Sequence, residues 1–521
     1  MSFTGNERQE FNSALLLGLF FLTLLVLHFP LLKLPYFWDE AGYYILVAHD
    51  LMLSGSPIPH STISNAHPPF VMAYLALWWK IAGFTPMVTR TAMLLVASFT
   101  LLGVFRLAQR IANLEVAVAS VICTALYPVF FAQSSLAHLD LAVAGFTFWG
   151  VLAYVEKRWF ALAAWFSLAG FTKETAILAP CGLFVWEVLR MIRSRPTDIR
   201  HQRGMFAALL VPILPLVLWY AYHYSRTGMV FGNEEFFRYN VQATMHPFRM
   251  LLALLMRLWQ SFGYMNLYLL TAAGTLAMWR PAQFDAQGER QRIAFDIQFA
   301  FLTVVAVYIV AMAMIGGAVL ARYMLPVVPL VIIVMVSTLR RRVPLWRWVM
   351  TIVVLGFVAG LFVNPPYGFA PEDNLAYRDY IRLHLNAEHF LEARYPMARV
   401  LTAWPASAEL SQPLLGYMTR PLPVVRIDDF RAEHLMSAAD MRSSFNLALV
   451  FSTKYDPPNA LLENWQAWQN IKMEYFDYHR DVPPEVAAQI LEGEIVYSET
   501  CHGQWVAVIE LRQVVDARVT R

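Results

Sequence analysis

Two adjacent carboxylates, Asp39 and Glu40, follow the first long apolar stretch of the chain, and His67-Pro68-Pro69 comes shortly after them. Carboxylates in such a place accept protons or hold cations, and packing alone does not call for two in a row. Further along, ionisable residues stand at the ends of other apolar stretches: His138 with Asp140, Lys173 with Glu174, and Arg322. An acid beside hydrocarbon is costly unless it faces a cavity or a partner, which makes Asp140 a candidate site residue. Lys173 and Arg322 add what an anion needs, a point charge and a bidentate fork.

Each residue also has a plainer use. Asp39 is a good N-cap for an amphipathic helix starting near Glu40, and Glu40 suits the first turn of that helix through its dipole. His67 stands before proline, where the backbone is pushed away from helix. Lys173 and Arg322 are placed where long basic side chains reach from a span end to the interface, and His138 is more readily structural than a ligand.

The elements that must position these groups are membrane helices. With 58% hydrophobic and 15% charged residues over 521 positions, the chain is too apolar for a soluble protein of this size. The net charge of +3 says less than where the basic residues fall. They cluster at 106–110, 157–158, 190–203, 280–292 and 340–347, and placing those loops in the cytoplasm gives about eleven spans. These run approximately over 11–32, 88–105, 113–133, 141–155, 159–172, 175–192, 205–222, 262–279, 295–315, 323–339 and 348–363. The N-terminus is then cytoplasmic, and the first span reads as a retained anchor, because Arg8 is flanked by Glu7 and Glu10 and no small-residue cleavage pattern follows. Residues 68–83 are too short for a confident span and are expected as a partly embedded helix on the outer face. In this arrangement Asp39, Glu40, His67, His138, Asp140, Lys173, Glu174, the loop 223–249 and Arg322 share the outer membrane level. The polar stretch 232–249, with Glu234, Arg238, Tyr239 and Arg249, is expected to form a lid over them.

From about residue 364 the composition turns to that of a soluble protein. A helix is expected over 375–394 and strands over 400–404, 424–427, 447–451, 495–497 and 505–511, a small α/β domain lying outside the membrane. The three cysteines, Cys123, Cys181 and Cys501, do not make a disulfide framework, since two lie in apolar spans.

The set Asp39-Glu40 with Tyr43, His67-Pro68-Pro69, Arg90, Asp140, Thr172-Lys173-Glu174 and Arg322-Tyr323-Met324-Leu325-Pro326 resembles the GT-C membrane glycosyltransferases. Within them it is most similar to the branch of the protein O-mannosyltransferases and the lipid A aminoarabinose transferases. The resemblance covers about residues 10–340. It implies a GT-C-like transmembrane catalytic domain over 1–363 and an extracytoplasmic α/β domain over 364–521. It also implies a multi-pass protein of the plasma (inner) membrane, moving a sugar from a polyprenyl-phosphate carrier to a lipid, glycan or protein acceptor at the outer face. Two positions depart from the pattern. His67 stands where the aminoarabinose transferases have lysine, and Glu174-Thr175 where Gly-Pro is usual after the lysine.

A phosphate-linked sugar already carries a good leaving group. The enzyme then needs cations on the departing phosphate, for which Lys173, Arg322 and His67 are the candidates, and a carboxylate base for the acceptor, for which Asp39 is the choice, with Glu40 and Asp140 beside it. Negative charge nearby also favours an oxocarbenium-like transition state, and a single displacement inverts the anomeric centre. A lipid-borne donor fits the lack of any G-x-G-x-x-G or Walker loop, and nothing calls for nucleic acid. Two carboxylates with histidines are also of the kind that hold a divalent ion, and the sequence leaves that question open. The alternative reading, a transporter or flippase of lipid-linked sugars, asks for ionisable residues near the bilayer midplane, whereas here they gather at span ends.

Overall fold

The computed structural model describes residues 11–193, 199–286, 288–315, 317–455 and 465–512. The residues Glu7, Arg8 and Glu10 and the middle of the basic run 190–203 lie outside them. Among the described residues, five helices are long and apolar enough to cross a membrane: Ser13–Leu31, Pro86–Ile111, Glu174–Arg193, Gln202–Thr227 and Phe295–Met314. Shorter apolar helices accompany them at Phe70–Ala82, Leu114–Leu126, Asp140–Val155, Trp159–Gly170, Leu267–Ala277 and Trp346–Phe362.

Local chemistry sets several boundaries. Thr85, in extended backbone, accepts from Val88 N at 3.3 Å, and Pro86 follows at the first helical position of Pro86–Ile111. Asn113 caps Leu114–Leu126 in the same way, accepting from Val116 N at 3.1 Å. Two expected spans are broken. The helix expected over 113–133 stops at Leu126 and resumes as the short helix Pro128–Gln133, because Pro128 has no N–H for the ladder. The one expected over 323–339 is a 3-10 turn, Ala321–Met324, followed by the helix Val328–Arg342, with Pro326 between them. That break leaves Arg322 on a short turn instead of on a helix shaft.

The C-terminal region folds as expected around the helix Ala376–Arg394. Its sheet has the spatial order Val424–Ile427, Val400–Ala403, Leu447–Phe451, Gln504–Leu511 and Gly493–Cys501. The first two pairings are parallel and the last two antiparallel. Val400–Ala403 and Leu447–Phe451 are buried throughout, which is why they read as continuous apolar runs. The core beneath this sheet is continuous with Tyr36, Phe37, Ala41, Tyr44 and Leu136 of the first half of the chain. Residues near the two early carboxylates are therefore packed between membrane helices on one side and the sheet domain on the other.

Candidate active site

The backbone departs from ordinary geometry directly before two of the candidate residues. Trp38, preceding Asp39, has φ 42°, and Ala66, preceding His67, has φ 58°. A side chain in the left-handed region costs on the order of 1–3 kcal/mol and persists only where surrounding contacts enforce it. For Trp38 those contacts are aromatic: its ring lies 5.6 Å from Tyr380 and 5.2 Å from Trp404, both edge-on. Behind it, Glu40–Tyr44 forms a single π-helical turn. Gly42 is required there, because a Cβ would stand 2.1 Å from the Trp404 indole.

Asp39 and Glu40, adjacent on this turn, go to different partners. Glu40 is fully buried and ion-paired with Arg90 at 3.3 Å, both side chains having no exposure. It also accepts from Phe37 N at 2.8 Å and Ala137 N at 2.6 Å. Arg90 donates to the carbonyls of Leu34 and Ser135 at 3.1 and 3.0 Å and to that of Pro35. Every oxygen of Glu40 is occupied in stapling three segments together, and neither is turned to a substrate. Asp39 makes no capping bond. Its carboxylate instead bonds Arg322, and it keeps 28% side-chain exposure against 2% for that arginine.

Arg322 is the centre of the remaining groups. Its guanidinium lies 3.3 Å from Asp140 and 2.5 Å from Glu372, in addition to Asp39. Asp140 in turn holds Lys173 Nζ at 2.7 Å. Lys173 therefore turns inward, to a buried partner, instead of reaching for the interface. His138 closes the back of the cluster. Its Nδ1 bonds Gln133 Oε1 at 2.7 Å, and Arg322 Nη1 lies 3.2 Å from Nδ1 and 3.4 Å from Nε2 of the same ring. Burial and the nearby Arg322 hold His138 well below its ordinary range, so it stays neutral. Glu372 is pushed upward by burial while Arg322 pulls the other way.

Two residues outside the expected set belong here. Glu372 lies past the last apolar helix, where nothing in its neighbours singles it out. Arg257 is fully buried on the helix Pro247–Phe262, donates to the carbonyls of Met312 and Leu320 at 3.2 and 2.7 Å and to Gln260 at 2.8 Å, and pairs with no carboxylate among the described residues. Its Nη2 has no hydrogen-bond partner. The sequence did carry a signal for it: Arg249, Ala253 and Arg257 recur every four residues and share a buried face. Tyr323 joins the cations, with Lys173 Nζ 4.1 Å from its ring centre and the guanidinium carbons of Arg257 and Arg322 at 5.5 and 5.6 Å.

His67 sits at the side of this cluster and pairs with Glu174 at 3.1 Å, joining the loops before two helices. The 232–249 stretch contains the helix Glu234–Asn240. Phe236 meets the His67 ring edge-on at 5.5 Å, Asn240 accepts from Gly317 N at 3.1 Å, and Arg249 donates to Gly317 O at 3.0 Å. Arg249 also lies 5.2 Å from the Phe476 ring of the C-terminal region. Glu234, Arg238 and Tyr239 are on the exposed side.

Residues 66–219 match the model of the dolichyl-phosphate-mannose-protein mannosyltransferase family. ArnT from Cupriavidus metallidurans superimposes in its apo state over 95% of this chain and 98% of its own, with 14% identity and a TM-score of 0.52. The same protein bound to undecaprenyl phosphate gives 94%, 97%, 14% and 0.52. The fold is that of the GT-C glycosyltransferases. The oligosaccharyltransferase of Archaeoglobus fulgidus in its apo form is a more distant likeness, covering 85% of this chain and 70% of its own at 11% identity and a TM-score of 0.48. No curated protein sequence matches the chain. The matched segment and the GT-C fold together indicate a membrane glycosyltransferase of the GT-C type and bear out the resemblance carried by the motifs.

Proposed function

We propose that this chain transfers a sugar from a polyprenyl-phosphate carrier to an acceptor at the outer face of the plasma membrane, with Asp39 as the base and inversion at the anomeric carbon. The observation that carries the reading is the asymmetry of the Arg322 cluster. Asp140, Glu372, Lys173 and Arg322 are sealed, while Asp39 is the carboxylate with an open side. An acceptor hydroxyl approaching from that side meets a carboxylate held in place by Arg322, next to buried cations that suit a departing phosphate. ArnT, a solved structure with this fold, is bound to undecaprenyl phosphate, which supports a donor of the same chemistry here.

In this reading Lys173 and Arg322 balance the carboxylates, and Arg257, buried without a carboxylate, adds a charge-assisted donor for phosphate oxygens. Glu40 acts through the backbone as a positioning residue. The stretch with Glu234, Arg238, Tyr239 and Arg249 covers the donor, and the division at residue 363 separates the catalytic membrane part from the outer domain. In this reading the N-terminus is cytoplasmic. Cysteines introduced near Asn65 and Ser411 are then labelled from outside in intact cells and one near Gln202 is not; labelling at Gln202 would overturn the orientation. The function is tested by incubating the purified protein with a panel of polyprenyl-phosphate sugars and measuring carrier release. Release with one donor class, lost in Asp39→Asn, supports the reading, and no release with any donor overturns it.

A further inference from the structure

The helix Ala376–Arg394 and the short helix Ala406–Ser411 that follows the first strand of the sheet bring His384, Glu388 and Glu409 together in the interior of the C-terminal region. His384 and Glu388 are four residues apart and so project from one helix face; Glu409 faces them from the second helix. One potential ligand atom from each lies within 4.8 Å of the others. The three residues are essentially sealed, at 1%, 0% and 0% exposure.

Their hydrogen bonding is incomplete. His384 Nδ1 bonds Glu409 Oε2 at 2.6 Å. Among the described residues, no donor reaches Nε2 of His384, Oε1 of Glu409 or either carboxylate oxygen of Glu388, and the Glu388 and Glu409 carboxyls face each other. Buried polar atoms are rarely left this way, and carboxylates least of all. A proton shared between the two glutamates joins one oxygen of each and still leaves the other Glu388 oxygen and His384 Nε2 without a partner. A divalent cation satisfies the cluster at once. The ligand geometry is also fixed in advance: the His384 ring is stacked at 4.0 Å on Tyr380 and met edge-on at 4.5 Å by Phe451.

We propose that His384, Glu388 and Glu409 form a structural binding site for a divalent transition-metal cation, separate from the Arg322 cluster. One imidazole and two carboxylates, with no thiolate, suit Zn2+ or Mn2+ over soft ions such as Cu(I). An ion about 2.0–2.2 Å from each donor draws the two helices together. These helices and the link before the second one carry the face that presses on the Asp39 turn: Tyr380, one turn before His384, packs against Phe37 at 5.2 Å and Trp38 at 5.6 Å, and Trp404, two residues before the helix Ala406–Ser411, covers Gly42. The cation therefore sets the surface against which Trp38 is held.

The test uses the full-length chain purified in detergent without added metal. Elemental analysis is expected to find one equivalent of a transition metal, lost after prolonged chelation, and Zn2+ or Mn2+ added back is expected to raise the Tm in a concentration-dependent way. In Glu388→Gln and His384→Ala both the retained metal and the metal-dependent rise in Tm are lost. Co2+ added to the chelated wild-type chain gives visible absorption bands of a mixed nitrogen and oxygen site, a readout that needs no variant to fold. No retained metal together with no response to Zn2+, Mn2+ or Co2+ overturns the proposal. Equal metal content and equal response in wild type and Glu388→Gln also overturn it, by placing the ion elsewhere. A Glu388→Gln chain that is more stable than wild type whether or not metal is present identifies a proton-sharing carboxyl pair and overturns it too.

Discussion

Asp39 and Glu40 are consecutive residues, yet they belong to two regions built in opposite ways. Around Glu40 every acceptor is used: Arg90 and two backbone N–H groups fill it, and no exposure remains. Around Asp39 one strong partner, Arg322, is shared with Asp140 and Glu372, and the carboxylate keeps an open side. A closed ion pair fixes shape, because a displaced charge has nowhere to go. An open carboxylate in a network of shared partners can give up or take on a contact at little cost, which is what proton transfer demands. The difference comes from one residue of phase on a strained turn.

The sharpest way to break this comparison is Asp39→Asn. If the open carboxylate is the base, transfer falls about 10²- to 10⁴-fold while the melting temperature stays close to wild type. Activity within tenfold of wild type in the carrier-release assay would remove Asp39 from that role. The complementary change is on the closed pair. Arg90→Leu leaves Glu40 buried and unpaired and is expected to lower stability by about 3–5 kcal/mol; Glu40→Leu combined with Arg90→Leu recovers much of the loss. Thermal unfolding of the two variants checks this, and a single variant as stable as wild type would make the pair dispensable.

A smaller effect distinguishes cations that balance carboxylates from the cation left over. Arg257→Gln is expected to weaken polyprenyl-phosphate binding by about 1.5–3 kcal/mol, the value of a hydrogen bond to a charged group. Lys173→Ala is expected to weaken it less, since Asp140 already occupies Lys173. Direct binding measurements on the folded variants order the two, and wild-type affinity in Arg257→Gln would place the donor phosphate elsewhere. A separate prediction concerns pH. Burial pushes Asp373, which accepts from Tyr264 at 2.7 Å, from its ordinary 3.8 up to about 7. Between those values the folded state keeps a proton the unfolded chain has given up, so stability declines as pH rises from about 4 to 7 and the contribution is level above that. Asp373→Asn should flatten this part of the profile of Tm against pH.

What the sequence determined by itself is what depends on composition and local pattern. Long apolar stretches have to be membrane helices because nothing else satisfies the backbone in hydrocarbon, and the expected strands at 400–404, 424–427 and 447–451 are all found, because buried β-branched and leucine-rich runs announce themselves. The gathering of Asp39, Asp140, Lys173 and Arg322 was legible too, since charges at span ends have to share a level. The breaks at Pro128 and Pro326 are written in the sequence, but the apolar run continues across both prolines and hides them. The tertiary structure alone decided which of two neighbouring acids is open and which is sealed. Role there depends on partners contributed by residues 90, 137 and 322, far away along the chain, and on a left-handed Trp38 packed against Tyr380 and Trp404. It also decided that Arg257 and Glu372 join the site, because a lone charge on an apolar helix or in a connecting turn acquires meaning only from what folds against it.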